Sequence, residues 1–180
     1  ESVINALKKA KDTKNPIVVH LNTQKGEGYA PAEAHREEFH FSAPYDVADG
    51  EPLQQSNESN YITDTRDYLL RKVKENPELL IISSATPEVF GFMEKERKAC
   101  GNQYVDVAIA EQTGVSTMTG AARGGAKVIY PVMATFLQRA YDQLEQDWAM
   151  DNSSAVMPVM GTGIRALTDL THLGFWDIPM

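Results

Sequence analysis

The chain has 180 residues, 42% of them hydrophobic and 23% charged, so it can bury a core and is not a disordered polymer. Its 17 Lys and Arg against 25 Asp and Glu leave a net charge of −8, which argues against binding along nucleic-acid phosphates or on an anionic membrane surface. The lone Cys100 makes no intrachain disulfide and fits a reducing compartment, and no apolar run reaches the roughly 18 residues that span a bilayer. The N-terminus lacks a basic-then-apolar signal pattern and an initiator Met, and the chain stops at Pro179-Met180 after an apolar segment, so an excerpt of a longer polypeptide is expected.

Residues 2–11 place Val3, Ile4, Leu7 and Ala10 on one helical face, and Asn15-Pro16 ends that helix. Residues 17–21 read as a buried strand, and residues 23–29 as a basic, Gly-spaced turn. Residues 30–59, with three prolines and a polar run at 54–57, read as linker rather than core. From about residue 60 strands and helices alternate. Thr63 or Asp64 can cap a helix carrying Tyr68, Leu69 and Val73, closed by Asn76-Pro77. A strand follows over 79–83, and Thr86-Pro87 should open a helix with Val89, Phe90 and Met93. Further strands are expected over 103–109, 127–133 and 155–160. The intervening helices span 110–122 and a stretch with Leu137, Tyr141, Leu144 and Trp148 on one stripe. Repeated strand–helix–strand units imply right-handed crossovers and a parallel sheet with flanking helices, an α/β fold.

Open parallel sheets collect ligands outside the carboxyl ends of their strands. That rule draws attention to Ala110-Glu111-Gln112, to 134–139 and to 168–172. Glu111 is either a charge favoured by the helix dipole or a carboxyl group held in apolar surroundings for hydrogen bonding. Arg139 is either a surface cation near Asp142 or part of a site, and His172 either a core histidine or a reacting group. His35, Glu38 and His40 have zinc-like residue types but no second pair of ligands nearby, so no metal site is expected there. Lys25-Gly26-Glu27-Gly28 lacks the full pattern of a nucleotide P-loop.

Two runs carry a family resemblance: Val105-Asp106-Val107-Ala108-Ile109-Ala110-Glu111-Gln112, and Thr135-Phe136-Leu137-Gln138-Arg139-Ala140-Tyr141-Asp142-Gln143. With the segments 20–33, Phe39-His40 and 169–177, they resemble the 1-deoxy-D-xylulose-5-phosphate synthases, a transketolase-like, thiamine diphosphate-dependent family. The resemblance implies that residues 1–40 are the tail of a diphosphate-binding domain, 41–59 a linker, and 60–180 the front of a pyrimidine-binding domain. It implies a cytoplasmic homodimer acting on pyruvate and glyceraldehyde 3-phosphate, without nucleic-acid or membrane partners. Mg²⁺ and the cofactor diphosphate would be held in a part of the protein absent from this chain.

In such enzymes a carboxyl group hydrogen-bonds the pyrimidine nitrogen opposite the amine. This favours the tautomer in which the cofactor's own aminopyrimidine takes the proton from the thiazolium carbon. The matching residue is Glu111, catalytic and cofactor-binding; His172 matches a histidine facing the reacting carbons. Phe136, Met133, Arg139 and Lys25 match cofactor-binding positions, and Arg139, His172, Arg165 and His40 substrate-binding ones. The sequence departs from the family pattern at Met133, where a Tyr is usual, and at Thr113, where a His is usual. The usual phosphate-holding Arg is missing around Met160-Gly161-Thr162-Gly163, leaving Arg165 as the nearest cation, and Thr168 stands where an Asp is usual. Two other readings are another transketolase-like ketol transferase and a cofactor-free dimerisation or regulatory module.

Overall fold

The computed structural model describes residues 2–40, 42–53, 60–163 and 171–174. The chain divides into two compact units, Glu1–Asn57 and Glu58–Met180.

The first unit opens with α1 (Ser2–Lys11), whose last turn carries Lys8, Lys9 and Lys11 at the negative end of the helix dipole. The strand expected over 17–21 does not form, and Val18 is 91% exposed. Extended apolar residues become a strand only when a neighbour completes their backbone hydrogen bonds, and no described residue of this unit pairs with them. The Gly-spaced turn does form, with Gly26 and Gly28 at positive φ. A Cβ on Gly26 would lie 2.6 Å from the Ala32 carbonyl carbon, so only glycine lets this turn close on α2 (Ala30–Ala34). The stretch read as linker also holds a small aromatic cluster. Phe39 meets Tyr29 and Tyr45 edge-on, with ring centroids 5.7 and 4.9 Å apart.

The second unit begins at α3 (Tyr61–Glu75). Its N-cap is Asn60, not Thr63 or Asp64. Asn60 Oδ1 accepts from the Ile62 and Thr63 amides at 2.9 and 3.1 Å, and Thr63 Oγ1 accepts from the Asn60 amide at 3.0 Å. Thr63 therefore acts three residues into the helix, closing a reciprocal capping box. Asn60→Ala should lower stability by about 0.5–2 kcal/mol, read as a shift in the urea midpoint with an unchanged slope.

Strand β1 (Leu79–Ser83) runs through the centre of the sheet and is apolar on both faces. Ile81 packs with Leu69, Val73, Phe90 and Phe92, while Ile82, pointing the other way, packs with Val115, Met118, Val128 and Tyr130. After β1 the expected helix from Thr86-Pro87 is only a 3₁₀ turn, Pro87–Phe90, which Gly91 ends in the left-handed region at φ 70°. The helix proper is α4 (Glu94–Cys100). Strand β2 (Tyr104–Asp106) is shorter than expected, because Ala108 turns left-handed at φ 60° and breaks the extended run. Helix α5 (Glu111–Arg123) follows.

The remaining strands are β3 (Lys127–Ile129), β4 (Val132–Met133), β5 (Ala155–Val156) and β6 (Val159–Met160). Among the described residues these strands all pair in parallel, in the orders β2-β1-β3-β5 and β4-β6. The expected strands over 127–133 and 155–160 are thus each split in two, and prolines explain the break. Val128 and Ile129 face Ala155 and Val156, and Val132 and Met133 face Val159 and Met160, so one register runs through both pieces. The Tyr130 amide donates to Val156 O at 2.9 Å and the Val132 amide to Pro158 O at 3.0 Å. The reciprocal bond, from residue 158 back to Tyr130 O, needs an N–H that proline lacks. The pairing is continuous except for that one bond.

Between β4 and β5 the chain is helical but irregular: α6 (Ala134–Leu137), a 3₁₀ turn (Gln138–Ala140), α7 (Tyr141–Gln143) and a π-helical stretch (Leu144–Met150). The run packs on α5, where Ser116 donates to Asp147 Oδ2 at 2.5 Å.

Candidate functional site

Strand order reverses between β1 and β3, since the chain leaves β1 toward β2 and leaves β3 toward β5. At such a point the loops diverge and open a crevice at the carboxyl ends of the strands. Here Ser84 and Tyr130 meet: their hydroxyls lie 2.5 Å apart and both residues are fully buried. Burial pushes the Tyr130 hydroxyl up to about 12. The Ser84 bond opposes this, and the negative charges of Glu111 and Asp106 add to it.

Glu111 is the first residue of α5, immediately after the β2 loop. It is 2% exposed. A helix-start charge serving only the dipole would sit in water, and this one does not. Arg139 Nη1 lies 3.3 Å from Glu111 Oε2, but the contact lacks hydrogen-bond geometry and Oε2 is left with no hydrogen-bond partner. The Arg139 side chain is 51% exposed, so its charge is largely solvated and compensates the buried carboxyl only weakly. Leaving a buried polar atom unpaired costs roughly 1–3 kcal/mol. A fold keeps such a group where something else uses it.

Gly114, one turn into α5, explains how the helix comes so close to the sheet. A Cβ there would lie 2.6 Å from Tyr130 Oη, 2.7 Å from Cζ and 3.0 Å from Ser84 Oγ. The start of α5 is fixed from the other side by Asp106. Its Oδ1 accepts from the Ala108 amide at 2.7 Å and from the Ala85 amide at 3.1 Å. Both alanines are left-handed, at φ 60° and 56°, a conformation costing roughly 1–2 kcal/mol for a residue with a Cβ.

The other candidates fall into three groups. Phe136 and Arg139 are one turn apart on the helical run after β4; Arg139 reaches Glu111, and Phe136 meets the His172 ring edge-on with centroids 5.4 Å apart. His172 Nδ1 is also 2.7 Å from Thr171 Oγ1. Met133 ends β4 just ahead of that run, half-buried. Lys25 and His40 belong to the first unit, where Lys25 Nζ touches His40 Nδ1. Arg165, Thr168 and Asp169 lie outside the described residues. His35 meets Glu38 at 3.5 Å, and among the described residues no three or more His, Cys, Asp or Glu side chains converge as a metal site. No described helix is long and apolar enough to cross a membrane. Tyr130, Ser84, Gly114 and Asp106 are the site residues that sequence reasoning did not single out.

The buried Glu111 carboxyl thus sits at the start of the helix after β2, beside a parallel sheet. Residues 60–180 match the family described as "Transketolase, pyrimidine binding domain". The chain belongs to this family. The α/β fold expected from the sequence is the fold observed, and the resemblance noted from the two motif runs holds over nearly the whole chain. It is 32% identical over 178 residues to a 1-deoxy-D-xylulose-5-phosphate synthase of Halothermothrix orenii, covering 99% of this chain and 28% of that protein. Enzymes of the same name from Campylobacter hominis and Haemophilus influenzae are 37% and 35% identical, over 98% and 99% of this chain and 29% and 28% of their own length. The chain thus spans less than a third of the curated relatives it matches.

Proposed function

We propose that this chain contributes the pyrimidine-binding half of a thiamine diphosphate-dependent transferase that condenses pyruvate with glyceraldehyde 3-phosphate, with loss of CO₂, to 1-deoxy-D-xylulose 5-phosphate. One observation carries the reading: Glu111 is buried at a strand-end helix start with Oε2 unpaired. The names of the relatives, all 1-deoxy-D-xylulose-5-phosphate synthases, support the reaction. In this reading residues 1–40 are the tail of a diphosphate-binding domain, 41–59 a linker and 60–180 the pyrimidine-binding part. Mg²⁺ and the diphosphate are held by residues elsewhere in a larger, cytoplasmic, homodimeric protein.

When bound, the cofactor supplies a carbon that adds to the keto group and holds the electron pair released as CO₂ leaves. The residues present fit its pyrimidine end. A buried carboxyl oxygen with no hydrogen-bond partner in the protein can form a hydrogen bond with a ring nitrogen, and the low-dielectric setting strengthens that bond. Phe136, on the helical run that carries Arg139, offers an apolar ring to the pyrimidine. Arg139 is exposed enough to meet an anionic substrate group while staying near Glu111. The role assigned to His172, which contacts Phe136 and Thr171, is to orient or protonate an oxygen of the reacting carbons. Lys25 is assigned to the cofactor, and His40 and Arg165 to the substrates.

The test is mass spectrometry of the products formed by the intact protein from pyruvate and glyceraldehyde 3-phosphate. A five-carbon deoxyketose phosphate, formed together with CO₂ and only when both substrates are present, is expected. Ketol transfer between sugar phosphates without CO₂ release would replace this reading with the other transketolase-like one. No cofactor binding at all would favour a dimerisation or regulatory module.

A further inference from the structure

We propose that Asp106 is a positioning residue that fixes the backbone from which Glu111 projects, by clamping the loops after β1 and β2 together through a single carboxylate oxygen. Asp106 Oδ1 accepts from Ala108, two residues on in its own loop, and from Ala85 in the loop after the neighbouring strand. The ladder has already brought the two loops together: Asp106 faces Ser83 in register, and the Val107 amide donates to Ser83 O at 2.9 Å. Beyond that point ordinary pairing stops, and the side chain of Asp106 takes over the role of a ladder acceptor.

The geometry downstream depends on it. Ala108 held left-handed reverses the chain, the Ala110 amide closes a tight turn onto Ala108 O at 2.7 Å, and this leaves Ile109 72% exposed. Glu111 then enters as the first helical residue, and the Gly114 amide bonds Ala110 O at 2.9 Å. Ala110, the N-cap, offers no side-chain hydrogen bond to the helix. The Asp106 bonds do not reach the α5 amides; they hold the loop that leads into the helix. Without them no side-chain hydrogen bond holds Ala108 at positive φ, and its relaxation would swing the Glu111 carboxyl away from its buried position.

The role of Asp106 as clamp stands on this geometry alone; its consequence for the cofactor rests on the proposed role of Glu111. Amide hydrogen exchange on the intact protein tests the clamp. Asp106→Ala is expected to raise exchange at the Ala85 and Ala108 amides, and at the Gly114 amide that follows the loop, by at least roughly tenfold, since the carboxylate acceptor of the first two is lost. Amides of Ile81 and Val128, deep in the sheet, should stay within about twofold by the same local-opening logic. Asp106→Asn retains an acceptor oxygen and should behave like the parent. Ala108→Gly in the Asp106→Ala background should recover most of the protection at Gly114, because glycine adopts the left-handed turn unaided. The proposal is overturned if exchange is unchanged in Asp106→Ala, if it rises equally in β1 and β3, or if neither Asn nor the added Gly rescues. Thiamine diphosphate affinity, measured by calorimetry with Mg²⁺ present, should follow the same order of variants. An exchange pattern as expected with affinity unmoved would leave the clamp standing and overturn the cofactor role of Glu111.

Discussion

Glu111→Ala should cut turnover of the intact protein by about 10²–10³, or roughly 2.7–4 kcal/mol of transition-state stabilisation, as expected for the loss of one preorganised hydrogen-bonding group. Glu111→Asp should retain little, because a side chain one methylene shorter withdraws the carboxyl from a ligand held by other residues. The more telling variant is Glu111→Met, which roughly keeps the volume and removes the charge. Stability should not fall and should rise by up to about 1–3 kcal/mol, the cost of an unpaired buried polar atom. Arg139 loses its neighbour in that variant, yet half of its side chain is already in water and little is sacrificed there. Activity lost with an unchanged or raised thermal midpoint is the signature of a group kept for function at the expense of the fold. Near-normal turnover would remove Glu111 from the reaction. A parallel fall in the midpoint would make it structural.

What the sequence made legible is what hydrophobic pattern controls. The apolar run ending at Ser83, the small-residue helix after Ala110 and the stripe through Leu137 and Trp148 each bury against the sheet, and period alone locates them. Glu111 and Arg139 were each legible through the motif runs but not as a pair, because nothing in their spacing, 28 positions apart, says that a crossover brings them within 3.3 Å. Backbone devices were harder to read. Ala85 and Ala108 are left-handed without being Gly or Asn, so no residue type announces those turns; the only local sign is an Asp two positions before Ala108. Gly114 passes in sequence for a poor helix residue, and its reason, a tyrosine hydroxyl from a strand 16 residues on, exists only in three dimensions. The strand expected over 17–21 erred the other way: its composition is right, but composition cannot supply a partner strand.

That close approach at Gly114 yields the other large expected effect, a substitution whose sign depends on residue 130. Tyr130→Ala should cost about 3–5 kcal/mol, since it empties the centre of the larger core around a side chain that is 0% exposed. Gly114→Ala in the parent should cost about 1–3 kcal/mol, because the new Cβ would sit 2.6 Å from Tyr130 Oη and neither α5 nor the sheet has room to retreat. Placed on Tyr130→Ala, the same substitution should turn stabilising by up to about 1 kcal/mol, from the gain in helix propensity and the partial refilling of the cavity. Tyr130→Phe separates the two parts of the clash. It removes the oxygen but leaves Cζ, 2.7 Å from the Cβ position, so it should relieve Gly114→Ala only in part. Alone it strands the buried Ser84 hydroxyl. The same variant has a pH signature. The Tyr130 hydroxyl is raised by burial to about 12 against roughly 10 in an unfolded chain, so the unfolded state loses its proton first and stability falls as pH rises from about 10 to about 12. Tyr130→Phe should flatten that decline without abolishing it, because Tyr104, also raised to about 12 chiefly by burial, titrates over the same window. Urea titrations of the five variants (Tyr130→Ala, Gly114→Ala, Tyr130→Phe and the two double variants) at neutral pH, repeated across the alkaline window, measure every one of these terms. Equal and additive effects of Gly114→Ala in the presence and absence of Tyr130 would show that the helix and strand do not press on each other there.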